Sequence, residues 1–336
     1  MKQNNMRQWL TDLCSSTDKK PLPILSFPSV SLLGTTVREL IASSDLQAKG
    51  MRLVADQTAA AAAVSVMDLS VEAECFGANV CFSDDEVPTV KGSCITDADE
   101  AEALTVPTIG SGRTQICIDA IQKACAGITD RPVFAGMIGP FSLAARLMDV
   151  SEIMLCCYDA PDMAHAVLEK ATAFLIEYAK AFRAVGAHGV MMAEPVAGLL
   201  SPTLEEEFSA PYVKRIVDAV QDDSFLLIYH NCGDNVPMML SSILSTGAAA
   251  YHFGNAIDMA EMMQKLPSDT VAMGNIDPAG VLRMGTPESV AEATRALMKG
   301  CAKYPNFIPS SGCDIPPATP WENIDAFFET VKRYGS

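Results

Sequence analysis

The sequence predicts an α/β fold, a (β/α)8 TIM barrel with an elaborated loop after the second strand. Two observations carry this. Eight short apolar runs recur along the 336 residues, and amphipathic stretches with helical spacing separate most of them. A third observation disfavours the runner-up, a doubly wound open sheet: no glycine-rich dinucleotide loop follows the first run.

The first strand is expected at 22–27 and the second at 63–68. The excursion 70–130 then interrupts the pattern with Phe76-Gly77-Ala78-Asn79, the acidic Asp84-Asp85-Glu86 and a helix expected at 113–126. It reads as a cap over the barrel mouth. Further strands are expected at 132–137, 189–193, 225–230, 249–253, 270–274 and 307–311; most carry β-branched or aromatic residues, and several are flanked by Pro, Gly or Asp. Amphipathic helices are expected at 46–62, 160–185, 203–220, 236–244 and 288–303. Thr203-Leu204-Glu205-Glu206 has the form of a capping box, and Pro287-Glu288 after Thr286 reads as a second helix start. No internal repeat or low-complexity linker is visible, so one domain spanning 1–336 is expected.

Lys and Arg total 24 against 41 acids, a formal charge of −17, which argues against nucleic acid or an anionic membrane as partner. With 49% hydrophobic residues the chain can bury a large core. The polar start, 1–18, has no apolar region like that of a signal peptide, and the Ala-rich run 58–67 is too short to span a bilayer. Eleven cysteines without a secretory leader read as reduced thiols in a cytoplasm. Cys14, Cys75, Cys81, Cys94, Cys117, Cys125, Cys156, Cys157 and Cys301 read as small packing side chains.

His230-Asn231-Cys232 closes the fifth run, and Cys313 follows the eighth in Ser311-Gly312-Cys313-Asp314. A His and a Cys at i and i+2 share one side of an extended backbone. One imidazole and two thiolates suit tetrahedral zinc and leave a fourth position open, the pattern of a reaction centre rather than a closed structural site. The bland alternative is a packed strand end and a loop thiol. On a barrel these residues fall at the C-terminal ends of strands, the catalytic face. Glu194 ends strand four and is a candidate oxygen ligand or proton acceptor, or else a partner for a neighbouring loop. His252 ends strand six and either supports a metal ligand or is one. Asp68, a further catalytic candidate, and Asn275 and Asp277, candidate cofactor-binding residues, end strands two and seven; local hydrogen bonding is the competing reading for each. His165 and His188 read as structural.

These residues also carry a resemblance. Val71-Glu72-Ala73-Glu74-Cys75-Phe76-Gly77, Gly139-Pro140-Phe141-Ser142-Leu143-Ala144, Glu194-Pro195, Leu200-Ser201-Pro202, His230-Asn231-Cys232-Gly233-Asp234, Gly274-Asn275-Ile276-Asp277-Pro278 and Ser311-Gly312-Cys313-Asp314-Ile315-Pro316-Pro317 resemble the uroporphyrinogen decarboxylase superfamily. Within it they resemble the cobalamin-dependent branch typified by methylcobamide:coenzyme M methyltransferases, whose zinc pattern of His-x-Cys and a distant Cys is kept at His230, Cys232 and Cys313. The resemblance implies a zinc-activated thiolate, such as that of coenzyme M, that takes a methyl group from Co(III) of a methylcorrinoid, the cobalt leaving as Co(I). It also implies the reverse direction, or a sister reaction from methanol, a methylamine, a betaine or an aryl methyl ether to a corrinoid. The Asp-x-His-x-x-Gly signature of a corrinoid domain is missing, so the methylcobalamin is expected on a separate corrinoid protein. The decarboxylase branch carries Arg-Gln-Ala-Gly-Arg-Tyr where this chain has Phe27-Pro28-Ser29-Val30-Ser31-Leu32, with no arginine for porphyrinogen carboxylates. Coenzyme M methyltransferases also tend to carry acidic residues just after strand six, where this chain has Gly254 and Asn255.

Overall fold

The computed structural model describes residues 5–334. Among them the strands are β1 (Ala63–Val64), β2 (Asn79–Cys81), β3 (Thr89–Lys91), β4 (Val133–Ile138), β5 (Gly189–Ala193), β6 (Leu226–Asn231), β7 (Ala250–Phe253), β8 (Ala272–Ile276) and β9 (Phe307–Ser311). Seven form one curled sheet in the order β1-β4-β5-β6-β7-β8-β9, and β2 pairs with β3 separately as an antiparallel hairpin. Every pair in the large sheet is parallel, and helices fill most crossovers. The fold is thus the expected α/β barrel, with one correction.

The segment expected as the first strand, 22–27, forms no ladder. It still lies between the two sheet edges: Leu22 N–H donates to Pro309 O on β9 at 2.9 Å, and Ala61 N–H, just before β1, donates to Pro21 O at 2.8 Å. Pro21 and Pro23 have no N–H to give, so the segment touches both neighbours without becoming a regular strand.

Helix boundaries follow the same local chemistry. The helix expected at 46–62 runs Ser44–Gln57, because the chain must unwind before β1 begins at Ala63. The helix expected at 203–220 is two, Pro202–Phe208 and Ala210–Val220, the second with Pro211 in its first turn. Its start is also corrected: Ser201 caps it by accepting from Leu204 N–H, with Pro202 rather than Thr203 opening the helix. At 287 the expectation and structure coincide, with Thr286 and Ser289 completing a capping box over Pro287–Cys301. Residues 1–4 of the polar start lie outside the described residues; the rest enters the helix Met6–Ser15. No helix among the described residues is long and apolar enough to cross a membrane.

Strand alternation sorts side chains into two layers. Phe134, Met191, Ala193, Leu226, Ile228, Ala250, Met273 and Ile308 fill the barrel interior, joined by Leu22 and Ile24. Ala135, Met137, Val190, Met192, Leu227 and Tyr229 face the opposite way, into a larger core shared with the helices. This parity decides where each candidate residue points. The excursion 70–130 divides similarly. Helix Thr114–Gly127 packs on Ser44–Gln57 as part of the outer ring, whereas the loop between β2 and β3 reaches the barrel mouth. That loop is tied down by ion pairs from Arg38 to Asp84 and from Arg283 to Glu86.

Candidate functional site

His230 belongs to the inward series of β6, two residues beyond Ile228, and Cys232 continues that parity past the strand end. Cys313 arrives on the loop after β9. One ligand atom from each of the three residues lies within 4.8 Å of the others, so residues far apart in sequence share a single point at the C-terminal end of the barrel. Among the described residues no carboxylate joins this group. With the two sulfurs close together, the proton affinity of Cys232 is lowered and that of Cys313 is raised, the latter also by burial.

Behind His230 runs a buried hydrogen-bond chain whose direction can be read from its far end. Ser310 Oγ lies 2.7 Å from Leu22 O; a carbonyl only accepts, so the hydroxyl donates there. Ser310 Oγ must then accept from His252 Nε2–H at 2.7 Å. His252 is kept neutral by burial, which pushes its proton affinity well down. Its Nδ1 is therefore bare and accepts from His230 Nδ1–H, again at 2.7 Å. That assignment leaves the lone pair on His230 Nε2, a buried atom with no hydrogen-bond partner. An unpaired imidazole nitrogen beside two sulfurs is a donor set that fits a tetrahedral metal such as zinc. His252 thus lies behind the candidate ligand His230, with both ring nitrogens engaged.

The other candidates are placed differently. Glu194 follows Ala193 by one residue, so its side chain points outward while Ala193 and Pro195 line the mouth. Its carboxylate accepts from Phe141 N–H and Ser142 N–H, both at 2.8 Å, and so caps the helix Pro140–Met148. Burial raises its pKa to about 7 despite those bonds. Of the two readings of Glu194, this parity corrects the ligand or proton acceptor at the mouth and leaves the partner of a neighbouring segment. Asp68 is spent on an ion pair with Arg113 and on the Ser70 N–H and hydroxyl. Asn275 Nδ2 donates to Gly254 O and Ile257 O, which holds the loop after β7. Asp277 caps the turn Pro278–Arg283 by accepting from Ala279 and Gly280. His165 stacks on Phe208 and bonds Tyr212, and His188 Nδ1 accepts from Val133 N–H; both are structural.

At Gly254 a Cβ would lie 2.4 Å from Cys232 Cα. The glycine after β7 therefore lets two loops touch at the candidate ligand Cys232, and an acidic side chain has no room to grow from that position.

A cavity of about 290 Å3 opens over His230 and Cys313. Its wall is mostly apolar, with Met67, Leu69, Val87, Pro88, Pro316 and Pro317, and its polar groups include Glu86, Arg146, Arg283 and Asp314. Asp314 is held well above the usual carboxylate range by burial and by the neighbouring Cys313. Sequence reasoning passed over Ser310 and Arg146. The signals were a hydroxyl pair, Ser310-Ser311, in an otherwise apolar strand, and a lone arginine in the apolar helix Pro140–Met148.

The family model described as uroporphyrinogen decarboxylase (URO-D) matches residues 29–334. The methylcobamide:CoM methyltransferase MtbA of Methanosarcina acetivorans is 28% identical over 272 residues, covering 80% of this chain and 78% of that protein. A uroporphyrinogen decarboxylase of Coxiella burnetii is 24% identical over 291 residues, covering 81% of this chain and 77% of its own. The solved structure of a methyltransferase from Methanosarcina mazei shares the fold with a TM-score of 0.87 at 22% identity, covering 99% of both chains. With the family model spanning nearly the whole barrel, the chain belongs to the uroporphyrinogen decarboxylase (URO-D) family.

Proposed function

We propose that this protein is a zinc-dependent methyltransferase that moves a methyl group between a corrinoid protein and a small thiol. The observation that carries the reading is the orphaned lone pair of His230 Nε2, buried beside the Cys232 and Cys313 sulfurs at a cavity mouth. His230, Cys232 and Cys313 would hold the ion, and a substrate sulfur would complete it. Zinc bound there supplies Lewis acidity that keeps an incoming thiol deprotonated at neutral pH. The chain's own residues do the rest. His252 and Ser310 orient the imidazole, and the apolar cavity wall keeps water from the sulfur.

A cavity of about 290 Å3 suits a small acceptor, near the lower end of the ~300–1,000 Å3 typical of ligand pockets. A methyl group carried by a partner must come in over the mouth. Leu199, Met238 and Met284 are exposed apolar side chains in the segments that follow β5, β6 and β8, and they offer a docking rim for a corrinoid protein. The relative from M. acetivorans, named as acting between a methylcobamide and CoM, supports the same reading. Eleven free thiols fit a reducing, cytoplasmic setting.

Porphyrinogen decarboxylation is the alternative raised by the C. burnetii relative. The stretch 27–32 without an arginine argues against it, because a polycarboxylate would meet no guanidinium there.

The test is metal content and turnover together. Purified protein is expected to hold one zinc per chain, lost in a His230→Ala, Cys232→Ser double variant. Methylcob(III)alamin with a panel of thiols should be demethylated by the wild type, read from the cobalt spectrum, and not by Cys313→Ser, whose circular dichroism is unchanged. A metal-free protein that still demethylates methylcobalamin would overturn the proposal.

A further inference from the structure

β6 ends at Asn231, and the residues on either side of it, His230 and Cys232, are both candidate metal ligands. Their backbones are held very differently. Glu194 N–H donates to His230 O at 2.9 Å, and Gly254 N–H donates to Asn231 O at 3.1 Å. Cys232 makes no backbone–backbone hydrogen bond among the described residues, so the sheet does not fix the direction of its sulfur. His230 needs no further support, because it lies within the ladder and its ring is held by His252.

What spans Cys232 is a side chain. Asn231 Oδ1 accepts from Gly233 N–H at 3.1 Å, closing an Asx turn with Cys232 at its centre. Asn231 is 1% exposed, so water does not compete for that oxygen. Loops from both flanking strands press on the turn. A Cβ on Gly198, after β5, would lie 2.6 Å from Asn231 Oδ1 and from Gly233 N, and one on Gly254, after β7, would lie 2.5 Å from Cys232 Cβ. An aliphatic side chain at 231 would suit its buried surroundings but leave Gly233 N–H without this acceptor.

We propose that Asn231 is a positioning residue for the metal centre: by bridging over Cys232, its carboxamide aims that sulfur at the point shared with His230 and Cys313. This rests on the zinc reading of the three residues and adds a side chain that does not touch the ion. Strand parity sends Asn231 away from the mouth, in the outward series with Tyr229.

The experiment compares wild type with Asn231→Ala, Asn231→Ser, Asn231→Asp, Glu194→Ala and Cys232→Ser. Competition against a chromophoric chelator measures zinc affinity. Cobalt(II) loaded in place of zinc reports, through its thiolate charge-transfer band, how many sulfurs reach the ion. Asn231→Ala should bind zinc about 10- to 100-fold more weakly, the range for groups that orient metal ligands, and its band should fall toward that of Cys232→Ser. Asn231→Ser, whose hydroxyl closes such a turn more weakly, should lie between and carries the test if the alanine variant does not fold. Asn231→Asp keeps the acceptor and should retain the wild-type band. Glu194→Ala disturbs the neighbouring strand end but not the turn, and should leave both readouts unchanged. Wild-type affinity and band in the alanine and serine variants would overturn the inference, as would equal losses in Asn231→Asp or Glu194→Ala. A wild type that takes up neither zinc nor cobalt would instead remove the metal reading itself.

Discussion

Replacing Ser310 by alanine should weaken zinc binding although Ser310 touches no ligand position. In the wild type the hydroxyl is committed to Leu22 O, which forces His252 to present Nε2–H and leaves the lone pair of His230 Nε2 facing the thiols. Reversing both rings would turn the hydroxyl from Leu22 O and strand a buried carbonyl, a cost of about 1–3 kcal/mol. In Ser310→Ala the balance inverts. His252 Nε2–H would point at a methyl group, so both rings do better with their protons shifted, which puts N–H on His230 Nε2 against the sulfurs. Zinc must then reverse that preference, at about 1–3 kcal/mol, or roughly 10- to 100-fold in affinity, the range seen when partners of metal-bound histidines are removed. Competition against a chromophoric chelator measures the affinity. Nitrogen-15 spectra of the zinc-free protein report the ring proton directly, and with 4 histidines in the chain assignment is tractable. Ser310→Thr, which keeps the hydroxyl, should behave as wild type. Wild-type zinc affinity in Ser310→Ala, with the proton still on His230 Nδ1, would refute the reasoning.

Other substitutions separate scaffold from site. Glu194→Ala removes the acceptor for the Phe141 and Ser142 amides and should cost about 2 kcal/mol in urea unfolding while zinc content stays at wild type; zinc loss without destabilisation would put Glu194 in the metal site instead. Glu205 is buried, and burial raises its pKa from 4.5 to about 7. A carboxyl with a raised folded pKa gives its full stability below pH 4.5 and loses it as the pH rises through about 7. Glu205→Gln should therefore match wild type near pH 4.5 and exceed it by up to about 3 kcal/mol at pH 8, and an equal difference at both values would sink this account. Gly254→Ala places a Cβ 2.4 Å from Cys232 Cα, so the ligand loop must shift; chelator competition should show weaker zinc binding, and unchanged affinity would mean that the loop yields freely.

The convergence of His230, Cys232 and Cys313 was legible because its information is local: His-x-Cys at a strand end fixes a common side of the backbone, and barrel topology brings the loop after the last strand to the same mouth. Glu194 was misplaced by one residue of parity. Being at a strand end does not say which face a side chain takes, and Ala193, not Glu194, belongs to the inward series. Asp68 could not be assigned from sequence because its partner Arg113 sits 45 positions away, inside the irregular excursion. The missing first strand was readable in principle, since Pro21 and Pro23 cannot donate to a ladder, yet their apolar neighbours Leu22 and Ile24 mimic a strand. Ser310 was invisible for a different reason: its importance lies in the direction of a proton, set by a carbonyl 288 positions earlier in the chain.

Of the three candidate ligands, His230 lies in β6, and Cys232 and Cys313 lie on loops that are fixed to neighbouring backbone. Gly312 N–H donates to Ile276 O, and Ile315 N–H donates to Ile24 O, so the Cys313 loop is anchored on both sides of the ligand. Pro316 and Pro317 follow at once and narrow the backbone freedom of that loop further. On the other side Gly254 lies against Cys232, and Gly198 lies so close to Gly233 that a Cβ on either would be within 2.6 Å of the other's backbone. Each contact is backbone to backbone, the kind that side-chain rotation cannot release. Because the chain itself has already met the ordering cost, a metal bound as proposed would not have to build its own site. In the proposed zinc site that leaves the fourth position, and not loop closure, as the variable that binding of a small sulfur compound would act on.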